Sequence, residues 1–285
     1  MKIAIASGKG GTGKTLVSTN LYNVIRQTGQ KTRLIDCDAE EPNVCEFIRG
    51  KVEEETLTTT HIPVIDSRKC TFCGKCQEYC SYNAIIMLPA IKTIQVVEDL
   101  CHDCGACVYA CQYDAITEKE KVTGSITQYE IDSNADLLES QTEIGIYSPV
   151  PIIGQTINMA EAEALTLLDS PPGTSCPFIA TVERADYVVL VTEPTPFGLN
   201  DLKLSVETLR RLKKKFGVVI NRFGLGKELI EDYLKREGIA LLEHIPFDKR
   251  IARVYAKGEL ITEELPEYHD LFGKLYQNIM KQVQA

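Results

Sequence analysis

Residues 8–15 read Gly8-Lys9-Gly10-Gly11-Thr12-Gly13-Lys14-Thr15, the spacing of a loop that wraps phosphate. Few patterns restrict a fold as strongly, because this loop needs a buried strand running into it and a helix starting at its end. Both are legible. Met1-Lys2-Ile3-Ala4-Ile5-Ala6 is a short apolar strand, and Leu16, Val17, Leu21, Val24 and Ile25 fall on one side of a following helix that Gly29 stops. Phosphate oxygens would lie among the loop's backbone N–H groups at the positive end of that helix, with Lys14 on the outer phosphates and the Thr15 hydroxyl on Mg2+. A glycine turn matching by chance would lack the strand and helix around it.

Further apolar strands alternate with helical stretches. Thr32-Arg33-Leu34-Ile35-Asp36 runs into Asp36-Cys37-Asp38, and Leu165-Thr166-Leu167-Leu168-Asp169 ends in a carboxylate before the stiff turn Ser170-Pro171-Pro172-Gly173. A terminal aspartate of that kind is presented to a metal-bound water. Asp186–Val191 and Val218–Asn221 are two more strands. The alternation predicts an α/β fold with a doubly wound, mostly parallel sheet and ligands at the strands' C-terminal ends.

The chain here resembles the MinD/ParA/Mrp group of P-loop ATPases, which includes the nitrogenase iron protein. The residues carrying the resemblance are Lys9-Gly10-Gly11-Thr12-Gly13-Lys14-Thr15, Asp36 with Asp38, Asp169-Ser170-Pro171-Pro172-Gly173, Val191-Thr192-Glu193-Pro194 and Ile245-Pro246-Phe247-Asp248, within about 1–50 and 145–285. It implies ATP and ADP as ligands with Mg2+, slow hydrolysis and an ATP-dependent homodimer. By the same resemblance Lys9 would cross the dimer interface to the partner's nucleotide, Asp38 would orient the attacking water, and Asp169 would support Mg2+ through a water. Asn221 would bond the adenine edge, with Pro246 beside it. Without the resemblance Lys9 is an exposed loop lysine, and Asp36 caps a turn.

Between these segments the α/β rhythm breaks. Eight of the eleven cysteines form two runs of one spacing, Cys70-x2-Cys73-x2-Cys76-x3-Cys80 and Cys101-x2-Cys104-x2-Cys107-x3-Cys111. The surrounding residues repeat at the same interval of 31, with Tyr79-Cys80-Ser81-Tyr82-Asn83-Ala84-Ile85 matching Ala110-Cys111-Gln112-Tyr113-Asp114-Ala115-Ile116. Each run resembles the ligand pattern of bacterial two-cluster ferredoxins, in which the fourth cysteine serves the other cluster. That resemblance implies two [4Fe-4S] clusters, one on Cys70, Cys73, Cys76 and Cys111, the other on Cys101, Cys104, Cys107 and Cys80. Ser81 and Gln112 stand where such runs often carry proline. Structural zinc is the competing reading, although it favours two separated cysteine pairs per site. The expected organisation is an ATPase domain over 1–58 and 119–285, interrupted by a small α+β ferredoxin-like insert over 59–118. Residues 119–143 read as a short hairpin returning to the sheet. The insert leaves after the Asp38 loop and returns before the Asp169 strand, a placement that favours mechanical coupling. So small a domain depends on its clusters for cohesion.

Cys37 and Cys45 read as small core residues. Cys176 lies seven residues after Asp169, an offset at which the nitrogenase iron protein holds a cluster-ligating cysteine, but an ordinary thiol is the simpler reading. The net charge of −9 argues against nucleic acid and anionic membranes as partners. The run from Arg210 to Lys215 reads as a solvated helix end. The apolar face Leu271, Phe272, Leu275, Tyr276, Ile279 and Val283 reads as packing on the chain's own sheet rather than on lipid. No leader pattern opens the sequence and no apolar run is long enough to span a bilayer, so a reducing cytoplasm is expected, where thiols at this spacing mean metal. The function expected is nucleotide-gated electron transfer, towards a redox or cofactor-assembly partner. The alternative is a metallocofactor assembly factor of the Mrp type, although those carry a CxxC near the C-terminus and no cysteine follows Cys176 here. Spatial organisers of the MinD/ParA type and amidoligases of the cobyrinic-acid type share the fold but need no cluster cysteines.

Overall fold

The structure, a computed structural model, describes residues 1–160, 164–225 and 229–284. Contacts divide it into two units, Met1–Thr56 with Ile126–Gln141 and Pro149–Ala285, and Leu57–Ser125 with Thr142–Ser148. The strands are β1 (Lys2–Ala6), β2 (Thr32–Asp36), β3 (Lys51–Ile65), β4 (Ile85–Leu88), β5 (Thr93–Val96), β6 (Ile116–Asp132), β7 (Ala135–Thr142), β8 (Leu165–Asp169), β9 (Tyr187–Thr192), β10 (Phe216–Phe223) and β11 (Leu241–Pro246). Among the described residues nine of them form one sheet in the order β11-β10-β9-β1-β8-β2-β7-β6-β3. From β11 to β7 every neighbouring pair is parallel.

The parallel part is buried on both faces, and alternate residues of each strand serve opposite layers. Ile3 and Ile5 join the helix Lys14–Gln27 and the C-terminal helix Pro266–Gln284 in one core, while Ala4 and Ala6 join the helices Val150–Asn158, Cys176–Val182 and Pro196–Arg211 in the other. The C-terminal helix buries Tyr268, Phe272, Leu275 and Ile279 in the first core, so its apolar stripe is spent on the sheet. The basic run closes the helix Pro196–Arg211, with Arg210 and Arg211 in its last turn.

The strand expectations for β2 and β8 coincide residue for residue with what forms. The edge of the sheet follows the expectation only in part. The hairpin expected over 119–143 forms as β6 and β7, with two residues between them, a connection that only antiparallel neighbours allow. A further 15-residue strand, β3, lies beyond it. Its first seven residues, Lys51–Leu57, are all exposed, so burial imposes no period-2 pattern there for a sequence reading to detect. Both β3 and β6 begin in one unit and end in the other.

In the second unit the duplication extends to the backbone. Phe72 and Asp103 both have positive φ (54° and 50°), as do Gly74 and Gly105 (84° and 66°) and Asn83 and Asp114 (54° and 49°). Gly74 and Gly105 each precede a five-residue helix, Lys75–Tyr79 and Ala106–Ala110. One small apolar cluster in this unit packs Cys76, Ile85 and Ile116 with partly buried neighbours such as Ile65 and Ile94.

Candidate functional site

β1 lies between β8 and β9, so the loop following it opens at the C-terminal edge of the sheet, beside the ends of both neighbours. Two glycines in the loop are sterically required. A Cβ on Gly8 would come within 2.5 Å of the Asp201 carbonyl oxygen, and one on Gly13 within 2.2 Å of Asn221 Nδ2, where φ is also +97°. Gly10 and Gly11 would meet nothing within 4 Å, so the outer side of the loop is open.

Beneath the loop, Lys14 Nζ donates to Asp169 Oδ1 at 3.1 Å and Thr15 Oγ1 donates to Asp169 Oδ2 at 2.8 Å. All three side chains are buried. Burial works against the charged form of Lys14, but Asp169, Asp36 and Asp38 outweigh it and hold its pKa above the ordinary lysine value. The same carboxylates oppose one another. Burial and Asp169 push Asp36 up to about 7, although it accepts N–H groups from Asp38, Asn43 and Val44. Asp36 is thus the cap of the turn that presents Asp38. Burial, with Asp169, Glu40 and Glu41, raises Asp38 to about 6 against the pull of Lys14. The three carboxylates and Lys14 thus form a compact charged cluster beneath the loop. The Thr12 hydroxyl is buried in the loop without a hydrogen-bond partner, as a group facing a polar ligand would be.

Lys9 Nζ donates to Glu193 Oε1 at 2.7 Å, and Arg222 Nη1 donates to Glu193 Oε2 at 2.7 Å. Arg222 also reaches the Gly11 carbonyl at 3.0 Å, so Glu193 and Arg222 brace the loop from outside. Burial disfavours ionised Glu193, but Lys9 and Arg222 reverse this and hold it below the usual carboxylate range. Neither residue was singled out from sequence. Glu193 stands within the Val191–Pro194 segment and Arg222 next to Asn221, yet nothing local marks two chain-distant residues as partners. Asn221 Nδ2 donates to the Thr12 carbonyl at 2.7 Å and its Oδ1 accepts the Arg222 N–H, leaving one valence at each end. Pro246 is exposed at the end of β11, opposite Phe223 in the register.

The eight run cysteines lie apart from these residues in sequence and gather around two cavities in the second unit. One is lined by Cys70, Cys73, Cys76 and Cys111, the other by Cys101, Cys104, Cys107 and Cys80. The cavities enclose about 340 and 380 Å3 of atom-free space, part of it open to solvent. Each set takes three thiols from one run and the fourth from the other. Among the described residues no three His, Cys, Asp or Glu side chains converge closely enough to hold a single metal ion. The thiols surround space rather than a point, which suits a larger thiophilic group. Burial raises the Cys76 and Cys101 thiols and lifts Cys107 to about 11, with neighbouring thiols adding to each. Thiols confined in this way ionise when a cation is supplied among them.

The remaining three cysteines are dispersed. Cys37 is fully buried in the core, Cys45 is partly buried, and Cys176 is exposed at the start of the helix Cys176–Val182. No helix among the described residues is long and apolar enough to cross a membrane.

Comparison with known proteins bears on the family and the fold. Residues 3–261 match the CobQ/CobB/MinD/ParA nucleotide binding domain. An uncharacterized protein of Methanocaldococcus jannaschii is 32% identical over 276 residues, covering 95% of this chain and 93% of that protein. The iron-sulfur cluster carrier protein of the same organism is 22% identical, covering 100% of this chain and 85% of that one. The cell division ATPase MinD of Pyrococcus furiosus shares the fold with a TM-score of 0.61 at 21% identity, over 98% of each chain.

Proposed function

The chain belongs to the CobQ/CobB/MinD/ParA nucleotide-binding family, and from that premise we propose that it is an ATP-hydrolysing iron–sulfur protein whose nucleotide state gates electron transfer. The observation that carries the cluster half is the sorting of eight thiols into two crossed sets of four around separate cavities. Four thiolates per site are the donor set of a [4Fe-4S] cluster, and the cavity between them suits a polynuclear group better than one zinc ion. When bound, such clusters accept and release single electrons.

The residues divide the remaining work. Backbone N–H groups from Gly8 to Gly13 cradle the phosphates, and Lys14 exchanges Asp169 for the outer phosphate oxygens. Thr15 and Asp169 would hold Mg2+, which would offset the charge of the bound phosphates. Asp38, ionised above about 6, accepts a hydrogen bond from the attacking water. Asn221 keeps the loop in shape through Thr12 and offers its spare valences to the base, next to Pro246. Closing the homodimer requires Lys9 to leave Glu193 for the partner's nucleotide, with Arg222 remaining on the vacated carboxylate. An unidentified redox or cofactor-assembly protein receives the electrons. Anaerobic stopped-flow mixing of dithionite-reduced protein with a low-potential dye, in ATP or ADP, tests the gating. Equal rates in both nucleotides, or no loss of the difference in Lys14→Ala, would refute it.

The carrier-protein relative favours a second reading, in which ATP drives cluster or metallocofactor assembly on another protein. Nucleotide-dependent appearance of iron in an added apo-ferredoxin, with no dye reduction, would select it.

A further inference from the structure

The 31-residue repeat makes each cavity the control for the other. Lining positions correspond across it almost throughout: Cys70 with Cys101, Cys73 with Cys104, Cys76 with Cys107, Gly74 with Gly105, Tyr113 with Tyr82 and Ile116 with Ile85. Against that background the differences stand out. Met87 lines the first cavity where Glu118 lines the second, Thr71 is replaced by His102, and Lys75 by Ala106. Asp103 and His61 also line the second cavity, and Asp103 is bonded to His61 Nδ1 at 3.2 Å.

These exchanges are electrostatic. The first cavity carries one cation, Lys75, paired with Glu78 at 2.9 Å, and is lined by the apolar Met87, which is 8% exposed. Two carboxylates, Glu118 and Asp103, border the second. Adding an electron to a group already bound by four thiolates adds negative charge, so nearby carboxylates disfavour it and a cation favours it. The apolar Met87 side chain acts the other way, because apolar surroundings resist extra charge. Solvent access cannot differ greatly, since Cys73 and Cys104 are both exposed and both cavities are open. The fixed charges therefore decide the order.

We propose that the two cavities hold clusters of unequal reduction potential, with Glu118 and Asp103 making the Cys80/Cys101/Cys104/Cys107 site the lower and the Met87-lined site the place where a single electron rests. This rests on the cluster reading given above. An electron that reaches the second cavity passes downhill to the first.

The test is an EPR-monitored redox titration of the full chain, purified anaerobically, at pH 8. Wild type should titrate in two one-electron waves. Glu118→Gln keeps shape and exposure and removes only charge. It should change the oxidised-to-reduced ratio of the lower wave about tenfold at fixed potential, a rise of about 59 mV, and leave the upper wave in place. Asp103→Asn should act in the same direction, because asparagine tolerates the φ of 50° found there. A single wild-type wave, or a Glu118→Gln effect on the upper wave or on neither, overturns the assignment. Iron and sulfide far below about eight each per chain would overturn the cluster reading itself, and the assignment with it.

Discussion

Replacing Gly13 by alanine should damage the phosphate loop in two separable ways, and a double-mutant cycle with Asn221 separates them. At φ 97° and ψ 25° any side chain is strained, at about 1–2 kcal/mol for the left-handed region. The new Cβ would also stand 2.2 Å from Asn221 Nδ2, so the amide must move and its 2.7 Å bond to the Thr12 carbonyl is lost. Leaving that buried carbonyl unpartnered costs about 1–3 kcal/mol. Gly13→Ala should therefore cost about 2–5 kcal/mol in total, and Asn221→Ala alone about 1–3. The bond can be lost only once, so the double variant should be scarcely worse than Gly13→Ala, with a coupling of about 1–3 kcal/mol. Urea unfolding of nucleotide-free protein, followed by far-UV circular dichroism, measures all three variants. Additive losses would show that the steric reasoning is wrong and that Asn221 does not support the loop.

Lys14→Met in nucleotide-free protein leaves Asp169, Asp36 and Asp38 without their buried cation and should cost about 3 kcal/mol, most of which Asp169→Asn restores; thermal melts should show both. Glu193 is held below its ordinary pKa, so its contribution is complete above about pH 4.3, the unfolded value, and disappears as pH falls through the lower folded value. Because Lys9 and Arg222 are 33% and 46% exposed, that contribution is about 1 kcal/mol at most, and Glu193→Gln should flatten the acid limb of the urea midpoint between pH 3 and 6 by that amount. Cys111→Ser should impair the cluster held by Cys70, Cys73 and Cys76, and Cys80→Ser the one held by Cys101, Cys104 and Cys107. Iron analysis with EPR of each variant checks this, and the opposite assignment would mean that each run closes on itself. Hydrolysis should rise with pH through about 6 and level off, and Asp38→Asn should abolish it.

Much of the first unit was legible because its signals are local. An apolar pentapeptide ending in Asp36 or Asp169 reads as a buried strand whatever lies beside it, and the loop pattern names its own flanking elements. The Asp36 turn was legible for the same reason, since its partners lie two, seven and eight residues on. The sheet edge was not. β3 carries exposed residues through its first half, so its strand character comes from pairing with β6 rather than from its own pattern. The Glu193 brace was also hidden, because Lys9 lies 184 residues before it and Arg222 29 residues after.

The sequence by itself determined the chemistry available: a phosphate loop, two carboxylate-ended strands and eight thiols in a repeated spacing. Composition and short-range spacing suffice for that, because they depend on covalent neighbours. Tertiary structure decided which of these groups meet. Strand order placed β1 against β8 and so brought Asp169 beneath Lys14 and Thr15, 155 and 154 residues away. Packing of the two repeats brought each fourth cysteine to the other run's cavity, as the ferredoxin resemblance implied, and set Glu118 where its counterpart is Met87. Those pairings depend on hydrogen-bond register and burial between distant segments, which no local pattern encodes.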